Sequence, residues 1–422
     1  MGSFAGPTIQ RHGYSHAYSQ RASPGEANAS ATGTPYFLPL TMSSRCENRY
    51  AGEGFAAGNA QPIVSIRNMM RVNVDWWYNW GHNHEPADAW YGDPSYAPMV
   101  WCADKPGEVV NLNNGSNPNG HWEPVELAAN AAAHPGRIWL IYNEPDFPFV
   151  RAYQPPPPPG TPTPTPFRSS GQCGEVLCRA VSMTLTPTLP PGQSDIDRCR
   201  WALSTPAPDW TQQMAYLAAD RYAEIYQTIK SADPTAKVYC CGQFYTWQSQ
   251  SNPWFNHFLD RLQQAHPGVG LDGVHIHTYA VTGSTATGSG NTLQICGKDE
   301  PVGDSWWNCL QRALEGYYLT QHDCIGSGCD LTRGKPLLVT EYGYLGVSAS
   351  VTPPALVDVR DYLMQPLQGW LVNPTQNPGY DGVAWFVTWY NGSKSQTRLY
   401  GTNGSQSDQT HLTDLGKQWA CP

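Results

Sequence analysis

Two glutamates stand where an ionisable side chain is costly unless it has a task. Glu144 follows the apolar run 138–141, and Glu341 follows the apolar run 336–340 and precedes Tyr-Gly. Each run has the length and composition of a buried β-strand, so each strand would end in a carboxylate. Hydrolysis of a glycosidic bond needs two carboxyl groups, one to donate a proton and one to act as nucleophile or base. We therefore predict that Glu144 and Glu341 form one catalytic site.

The two glutamates are 197 positions apart in the sequence (341 − 144). Only the tertiary fold can bring them together. Strand-like and helix-like segments alternate from about residue 62, which predicts an α/β fold with a buried parallel sheet. In a (β/α)₈ TIM barrel the active site lies at the carboxyl ends of the strands. That architecture would place both glutamates on one face, and we predict it here.

The predicted elements follow from the period of the apolar residues. The segments with a strand pattern are 72–80, 96–101, 138–143, 237–245, 273–279, 336–342 and 382–390. The run 62–66 is the candidate for an eighth strand. The segments with a helix pattern are 209–232, 252–264, 305–320 and 353–371, and the first has an apolar stripe of period 3.6 from Met214 to Ile229.

We predict a flexible lead-in at 1–34, rich in small and polar residues, and one catalytic domain at 35–422. A disulfide- and proline-rich insertion, about 151–208, follows the strand that carries Glu144. Its Pro and Thr-Pro runs exclude helix and central strand. Two interpretations stay open for this insertion: a surface loop pinned by disulfides, or a wall of the substrate cleft.

Composition excludes several classes of partner and predicts a compartment. A net charge of −9 argues against nucleic acid and anionic membranes as partners. No apolar segment has the roughly 18–20 residues of a membrane span. Twelve cysteines without zinc-ligand spacing indicate disulfides and a secreted, extracellular protein, which we expect to be a monomer without metal or cofactor. We predict the disulfides Cys296–Cys309 and Cys324–Cys329, and we expect no bond between Cys240 and Cys241, since adjacent strand residues point to opposite faces.

The motifs around both glutamates resemble those of glycoside hydrolase clan A. Asn-Glu-Pro at 143–145 is similar to the acid/base motif of that clan, and Thr-Glu-Tyr-Gly at 340–343 is similar to the end of its nucleophile strand. The resemblance implies that Glu144 is the acid/base and Glu341 the nucleophile of a retaining mechanism. It also implies that Asn143 binds the sugar 2-hydroxyl. His-Thr-Tyr at 277–279 resembles a His-x-Tyr of the clan whose tyrosine hydroxyl lies close to the nucleophile.

Segments at 77–81, 96–101, 143–146 and 412–416 occur in an order that resembles glycoside hydrolase family 128. This resemblance spans 72–166 and 237–416, less insertions, and implies an endo-β-1,3-glucanase. The chain departs from the family in its length, its insertion and its many cysteines. Other clan A specificities (xylan, mannan, β-1,4-glucan or an exopolysaccharide) therefore stay open, as does a carbohydrate-binding barrel without turnover. In every case the expected partner is a polysaccharide or oligosaccharide.

Aromatic residues are abundant, with 17 tryptophans and 23 tyrosines, and sugars stack on such rings. The residues predicted to bind substrate lie at or near strand ends and are Asn143, His277, Tyr279, Trp77, Asn79, Trp80, Trp101, Trp385 and Trp389. The alternative is that the tryptophans, and Trp385 and Trp389 in particular, belong to the core. Two His-x-His pairs, 82/84 and 275/277, have a spacing that suits a metal, but we expect a structural or sugar-binding role for them.

Overall fold

The computed structural model describes residues 53–56, 75–78, 94–102, 122–146, 173–174, 177, 181, 210–244, 253–282, 304–322, 329–346, 355–373, 375–377, 379–386, 399 and 412–420. The chain divides into two compact units, Met1–Arg45 and Cys46–Pro422, and the described residues belong to the second. The predicted lead-in at 1–34 lies outside the described residues.

Eight parallel strands form one sheet in the order β2-β1-β8-β7-β6-β5-β4-β3. They are β1 (Glu53–Ala56), β2 (Trp76–Tyr78), β3 (Met99–Val100), β4 (Ile138–Ile141), β5 (Lys237–Gln243), β6 (Gly273–Thr282), β7 (Leu337–Gly346) and β8 (Tyr380–Trp385). An isolated parallel bridge, Trp77 to Tyr96, also joins β2 to the residues just before β3. The bridge thus joins one end strand of the sheet to the segment that leads into the other.

From β3 to β8, described helices separate the strands in sequence. The described helices are α1 (Pro124–Ala133), α2 (Trp210–Ala232), α3 (Pro253–Ala265), α4 (Asp304–His322), α5 (Leu356–Val359), α6 (Gln365–Val372) and α7 (Asp414–Ala420), with a π-helical turn Arg360–Met364 joining α5 to α6. The predicted α/β class with a parallel sheet is confirmed, and the four predicted helices correspond to α2, α3, α4 and the α5–α6 stretch. None of the described helices combines the length and the apolar character that a membrane crossing requires.

The described sheet contains a strand that the sequence analysis did not predict. The structure uses Glu53–Ala56 as β1, which pairs with β2 on one side and β8 on the other. Residues 62–66 lie outside the described part of the chain. The sequence Glu-Gly-Phe-Ala has no β-branched residue and no alternation, so only its pairing with two neighbours makes it a strand.

The hydrophobic core surrounds the part of the sheet in which the strands pair regularly. In β4, Trp139, Leu140 and Ile141 are all fully buried, as expected for a parallel strand covered on both faces. The predicted stripe of α2 is buried against the sheet, and the Tyr142 hydroxyl after β4 donates a hydrogen bond of 2.8 Å to the Ala218 carbonyl of that helix. The strand that leads to Glu144 is therefore fixed to a helix from outside.

Disulfides are present, and one contradicts a sequence prediction. Cys102, just after β3, pairs with Cys173 of the insertion. Cys240 and Cys241 pair with each other within β5, contrary to our expectation. The rule of opposite faces assumes a regular strand, whereas the register of β5 shifts between Cys241 and Gln243.

The two predicted local disulfides stay predictions. Cys309 is disulfide-bonded. Its predicted partner Cys296 lies outside the described residues, and so does Cys324 of the pair Cys324–Cys329.

Gly273, at the start of β6, offers a test of how tightly the sheet is packed. A Cβ at Gly273 would lie 2.5 Å from the ring of Tyr239 in β5. We expect Gly273→Ala to lower the free energy of unfolding by ~1–3 kcal/mol, as overpacking of a core does. Gly369 in α6 is the matched control, since it is exposed and a Cβ there meets nothing within 4 Å. Gly369→Ala should raise stability by up to ~1 kcal/mol. Urea unfolding of both variants checks this, and equal effects would contradict it.

Candidate active site

A bulge in β7 aims Glu341. Along β6 the register passes from Ile276 opposite Val339 to His277 opposite Glu341, so Thr340 is an extra residue on β7. The register with β8 also shifts in this part of β7, between Val339 and Tyr342. Bulges of this kind re-aim side chains next to functional sites. Glu341 is only 3% exposed and faces the carboxyl end of β6.

Glu144 reaches the same place from a turn beyond β4. Its φ angle is 53° and that of Tyr142 is 73°. These left-handed conformations are uncommon for residues other than glycine and concentrate at functional sites. Backbone hydrogen bonds hold them: Tyr142 N–H donates to Val100 at 2.8 Å, and Glu144 N–H donates to Gly242 at 2.9 Å.

Gly242 lets β5 approach that turn. Its φ is +60°, and β5 has an irregular register at this residue. A Cβ here would lie 2.7 Å from the Tyr142 carbonyl oxygen and 2.9 Å from the His275 ring. Only glycine permits this approach.

Three buried side chains converge. One oxygen of Glu144, one oxygen of Glu341 and one ring nitrogen of His277 all lie within 4.8 Å of one another. The Nδ1 atom of His277 lies 3.0 Å from Glu144 Oε1 and 3.6 Å from Glu341 Oε2. The predicted pair of glutamates therefore does come together, with the predicted histidine between them.

Two tyrosine hydroxyls donate to Glu341. Tyr279 donates to Oε2, and Tyr78 donates to Oε1 at 3.2 Å and to the Thr340 carbonyl at 2.8 Å. Burial, followed by the Glu341 charge, raises the pKa of Tyr78 well above its usual value, so this hydroxyl keeps its proton. Both contacts favour the ionised form of Glu341.

His277 is neutral. Complete burial lowers its pKa, and the charges of Glu341 and Asp146 only partly oppose that. Because Nδ1 faces both glutamates, a proton on Nδ1 is satisfied there, and Nε2 is left as an acceptor. Within the described part of the chain, His277 Nε2 and Asn143 Oδ1 are buried atoms without a hydrogen-bond partner.

Comparison with known proteins gives fold neighbours. No family model matches the sequence, and no curated protein does. A glycoside hydrolase family 128 (subgroup VII) oligosaccharide-binding protein from Trichoderma gamsii is 14% identical, with 89% of this chain and 93% of that chain covered and a TM-score of 0.41. The catalytic core of a xylanase A has 14% identity, coverage of 81% and 88%, and a TM-score of 0.41. A β-porphyranase of family 86 from Bacteroides plebeius has 14% identity, coverage of 88% and 56%, and a TM-score of 0.41.

The predicted tryptophans that the structure describes, Trp77, Trp101 and Trp385, are all buried. Trp385 is fully buried, with its ring 5.8 Å from that of Tyr342 and 5.7 Å from that of Trp419, so it packs in the core as the alternative interpretation held. Trp77 packs on Tyr96 with ring centroids 4.4 Å apart, and Trp101 is buried. Their proposed contact with substrate stays a prediction. Asn79, Trp80 and Trp389 lie outside the described residues.

Sequence reasoning missed several residues at the site. Tyr78 is the clearest, since its hydroxyl contacts Glu341; its place at the end of a strand, on the same face as Trp76, was the available signal. Phe386 follows β8 and packs edge-on against Tyr279 at 5.4 Å. Asp146 is fully buried and accepts a hydrogen bond from Phe244 N–H.

Of the two His-x-His pairs, only 275/277 is described. His275 lies below the site, with Nε2 3.0 Å from the Ile141 carbonyl and Nδ1 3.1 Å from the Thr340 hydroxyl. Both of its nitrogens thus bind protein atoms, which gives it the structural role we expected. Among the described residues, the group that could hold a metal ion is Glu144, His277 and Glu341.

The burial of His275 predicts that the folded protein loses stability at acidic pH. Burial, and then the neighbouring His277, lowers its pKa to about 3. Between pH ~6.5 and ~3 the unfolded chain binds a proton that the native chain does not, so stability falls as the pH falls through this window. This contributes on the order of 4 kcal/mol of acid destabilisation. His275→Gln should flatten that pH dependence in urea unfolding from pH 7 to pH 4.

The control for this experiment is His257→Gln, on the half-buried part of α3. It should leave the slope of stability against pH as in the wild type. An unchanged slope in His275→Gln would refute the neutral, buried state of His275, whatever the overall stability of that variant.

Proposed function

We propose that this protein is a retaining glycoside hydrolase on a (β/α)₈ barrel that cleaves a β-glucan internally. The observation that carries the proposal is the buried convergence of Glu144, Glu341 and His277 within 4.8 Å. The order of the family 128-like segments makes β-1,3-glucan the first substrate to test. The bridge between Trp77 and Tyr96 supports closure of the sheet into a barrel.

The spacing of the two glutamates supports the retaining mechanism. Carboxyl groups are ~5–5.5 Å apart in retaining enzymes and ~6.5–9.5 Å apart in inverting ones, which need room for a water. One oxygen of Glu144 and one oxygen of Glu341 lie within 4.8 Å of each other, which favours the shorter spacing between the carboxyl groups. Glu341 would then attack the anomeric carbon directly.

The contacts of Glu144 and Glu341 support a different role for each of them in the reaction. Glu341, kept ionised by the hydroxyls of Tyr78 and Tyr279, attacks the anomeric carbon, while Glu144 donates its proton to the leaving oxygen and the glycosidic bond breaks. A water then attacks the glycosyl ester and gives a proton to Glu144, which frees Glu341. Asn143 Oδ1 is free to accept a hydrogen bond from a sugar hydroxyl.

Secretion belongs to the same proposal. Twelve cysteines, together with the disulfides Cys102–Cys173 and Cys240–Cys241, support an oxidising compartment. Extracellular polysaccharide would be the substrate met there.

A panel of polysaccharides tests the function. Release of reducing ends from β-1,3-glucan, β-1,4-glucan, xylan and mannan separates the proposed specificity from the other clan A specificities. Size analysis of the products separates internal from terminal cleavage. Saturable binding of an oligosaccharide, with no product from any polymer, would instead establish a carbohydrate-binding barrel and overturn the enzyme proposal.

Glu341→Ala tests the nucleophile. We expect turnover to be abolished, because the carboxylate that forms the glycosyl ester in the proposed mechanism is removed. Added azide should restore cleavage of an activated substrate and give a product of inverted anomeric configuration. Proton NMR of the product from the wild type should show retained configuration. An inverted wild-type product would recast Glu341 as a base that activates water.

Glu144→Ala tests the acid/base. General acid catalysis contributes ~10²–10⁴-fold. We expect a loss of that size for substrates with poor leaving groups, and a much smaller loss in the first step for activated aryl glycosides, which need no proton. Measurement of kcat/KM across a series of leaving groups checks this. A uniform loss across the series would remove Glu144 from the role of acid.

A further inference from the structure

We propose that the insertion after β4 belongs to the proton-donating machinery, and that Cys102, Cys173 and Gly174 are positioning residues for Glu144. This inference rests on the proposed function, in which Glu144 is the acid/base. It gives the insertion a task that the two interpretations from sequence, a pinned loop or a cleft wall, did not include.

Glu144 needs support that Glu341 does not. Glu341 lies inside β7 and pairs with β6. Glu144 lies three residues past Ile141, where the ladder of β4 ends, in a left-handed conformation. A residue of this kind keeps an unfavourable backbone conformation only when its surroundings fix it.

The insertion provides that support on one side of the turn. Cys173 N–H donates to the Asn143 carbonyl, and Gly174 N–H donates to the Glu144 carbonyl, both at 3.2 Å. On the opposite side, Glu144 N–H donates to Gly242 of β5. The peptide groups around Glu144 are thereby held from two directions.

A covalent bond holds the donors themselves. The disulfide joins Cys173 to Cys102 with their Cα atoms 4.9 Å apart, across 71 positions of sequence. Cys102 follows Trp101, whose carbonyl accepts the Asn143 N–H at 3.0 Å. These contacts form a closed ring of bonds. The end of β3 is hydrogen-bonded to the Asn143 peptide, that peptide is hydrogen-bonded to the insertion, and the disulfide joins the insertion back to the end of β3.

The described residues of the insertion are also buried. Cys173, Leu177 and Val181 have helical conformation, recur every four positions, and are buried with exposures of 0%, 1% and 6%. This part of the insertion is thus anchored in the core, where it can fix a neighbouring turn.

Loss of these contacts should weaken one step of the reaction more than the other. Misplacement of a catalytic group by about 1 Å can cost ~10²-fold in rate. Without these bonds Glu144 should lose its position, whereas Glu341 should keep its own, because the bulge in β7 and the hydroxyls of Tyr78 and Tyr279 still hold it. Transfer of a proton to the leaving group should therefore weaken, whereas attack by Glu341 should not. A general structural defect would reduce both steps together.

The experiment compares leaving groups. Cys102→Ser combined with Cys173→Ser should lower kcat/KM by ~10-fold or more for a substrate with a poor leaving group, and by less than ~3-fold for an activated aryl glycoside. The alkaline limb of the pH–rate profile for the poor substrate should move, since that limb reports the group that donates the proton. Cys309→Ser, which removes a disulfide of α4, is the control and should leave the ratio of the two rates unchanged.

A second variant keeps the test valid if loss of the disulfide prevents folding. Gly174→Pro removes the N–H that donates to Glu144 and leaves both cysteines in place, while Gly174→Ala keeps the N–H. The proline variant should show the same selective loss and the alanine variant should not. Equal losses on both substrates in an active, folded variant would overturn the positioning role alone. A wild type inactive on every glycoside would overturn the proposed function and, with it, this inference.

Discussion

Two carboxyl groups buried within 4.8 Å of each other repel when both are charged, and the rest of the site depends on how the fold manages this repulsion. The surroundings of the two groups differ. Glu341 accepts hydrogen bonds from Tyr78 and Tyr279, which favour its charged form. Glu144 faces His277, which burial keeps neutral and which therefore adds no positive charge between them. In the proposed mechanism, this asymmetry gives two chemically identical side chains different roles.

To place the two glutamates in this way, the backbone must be irregular at the site and supported by regularly paired strands below it. Below the site, β4 to β7 pair in register and are buried on both faces, which provides the stability. At the level of the site every nearby strand departs from regularity. β5 shifts at Gly242, β7 bulges at Thr340, and the chain after β4 turns left-handed at Tyr142 and Glu144. Each departure moves a side chain or carbonyl to a place that a regular ladder could not supply.

His275 connects these two levels. Its ring joins the Ile141 carbonyl of β4 to the Thr340 hydroxyl at the β7 bulge, from its own position in β6. The same ring stands where a Cβ at position 242 would be, so it also requires glycine in β5. One neutral, fully buried imidazole thus sets the spacing of four strands directly beneath the two glutamates.

The sequence alone determined the chemistry and most of the elements. A carboxylate that ends an apolar run is costly wherever the run is buried, so Glu144 and Glu341 could be identified without a fold, and the Asn-Glu-Pro and His-x-Tyr patterns added Asn143, His277 and Tyr279. Only the tertiary structure decided which faces and partners the other residues have. Trp385 turns to the core rather than to the site, Tyr78 reaches Glu341 across the sheet, Glu53–Ala56 becomes a strand, and Cys173 of the insertion bonds to the turn that carries Glu144. The physical reason is that a local pattern gives the period of a strand, whereas its register, its bulges and its neighbours depend on contacts between residues far apart in sequence.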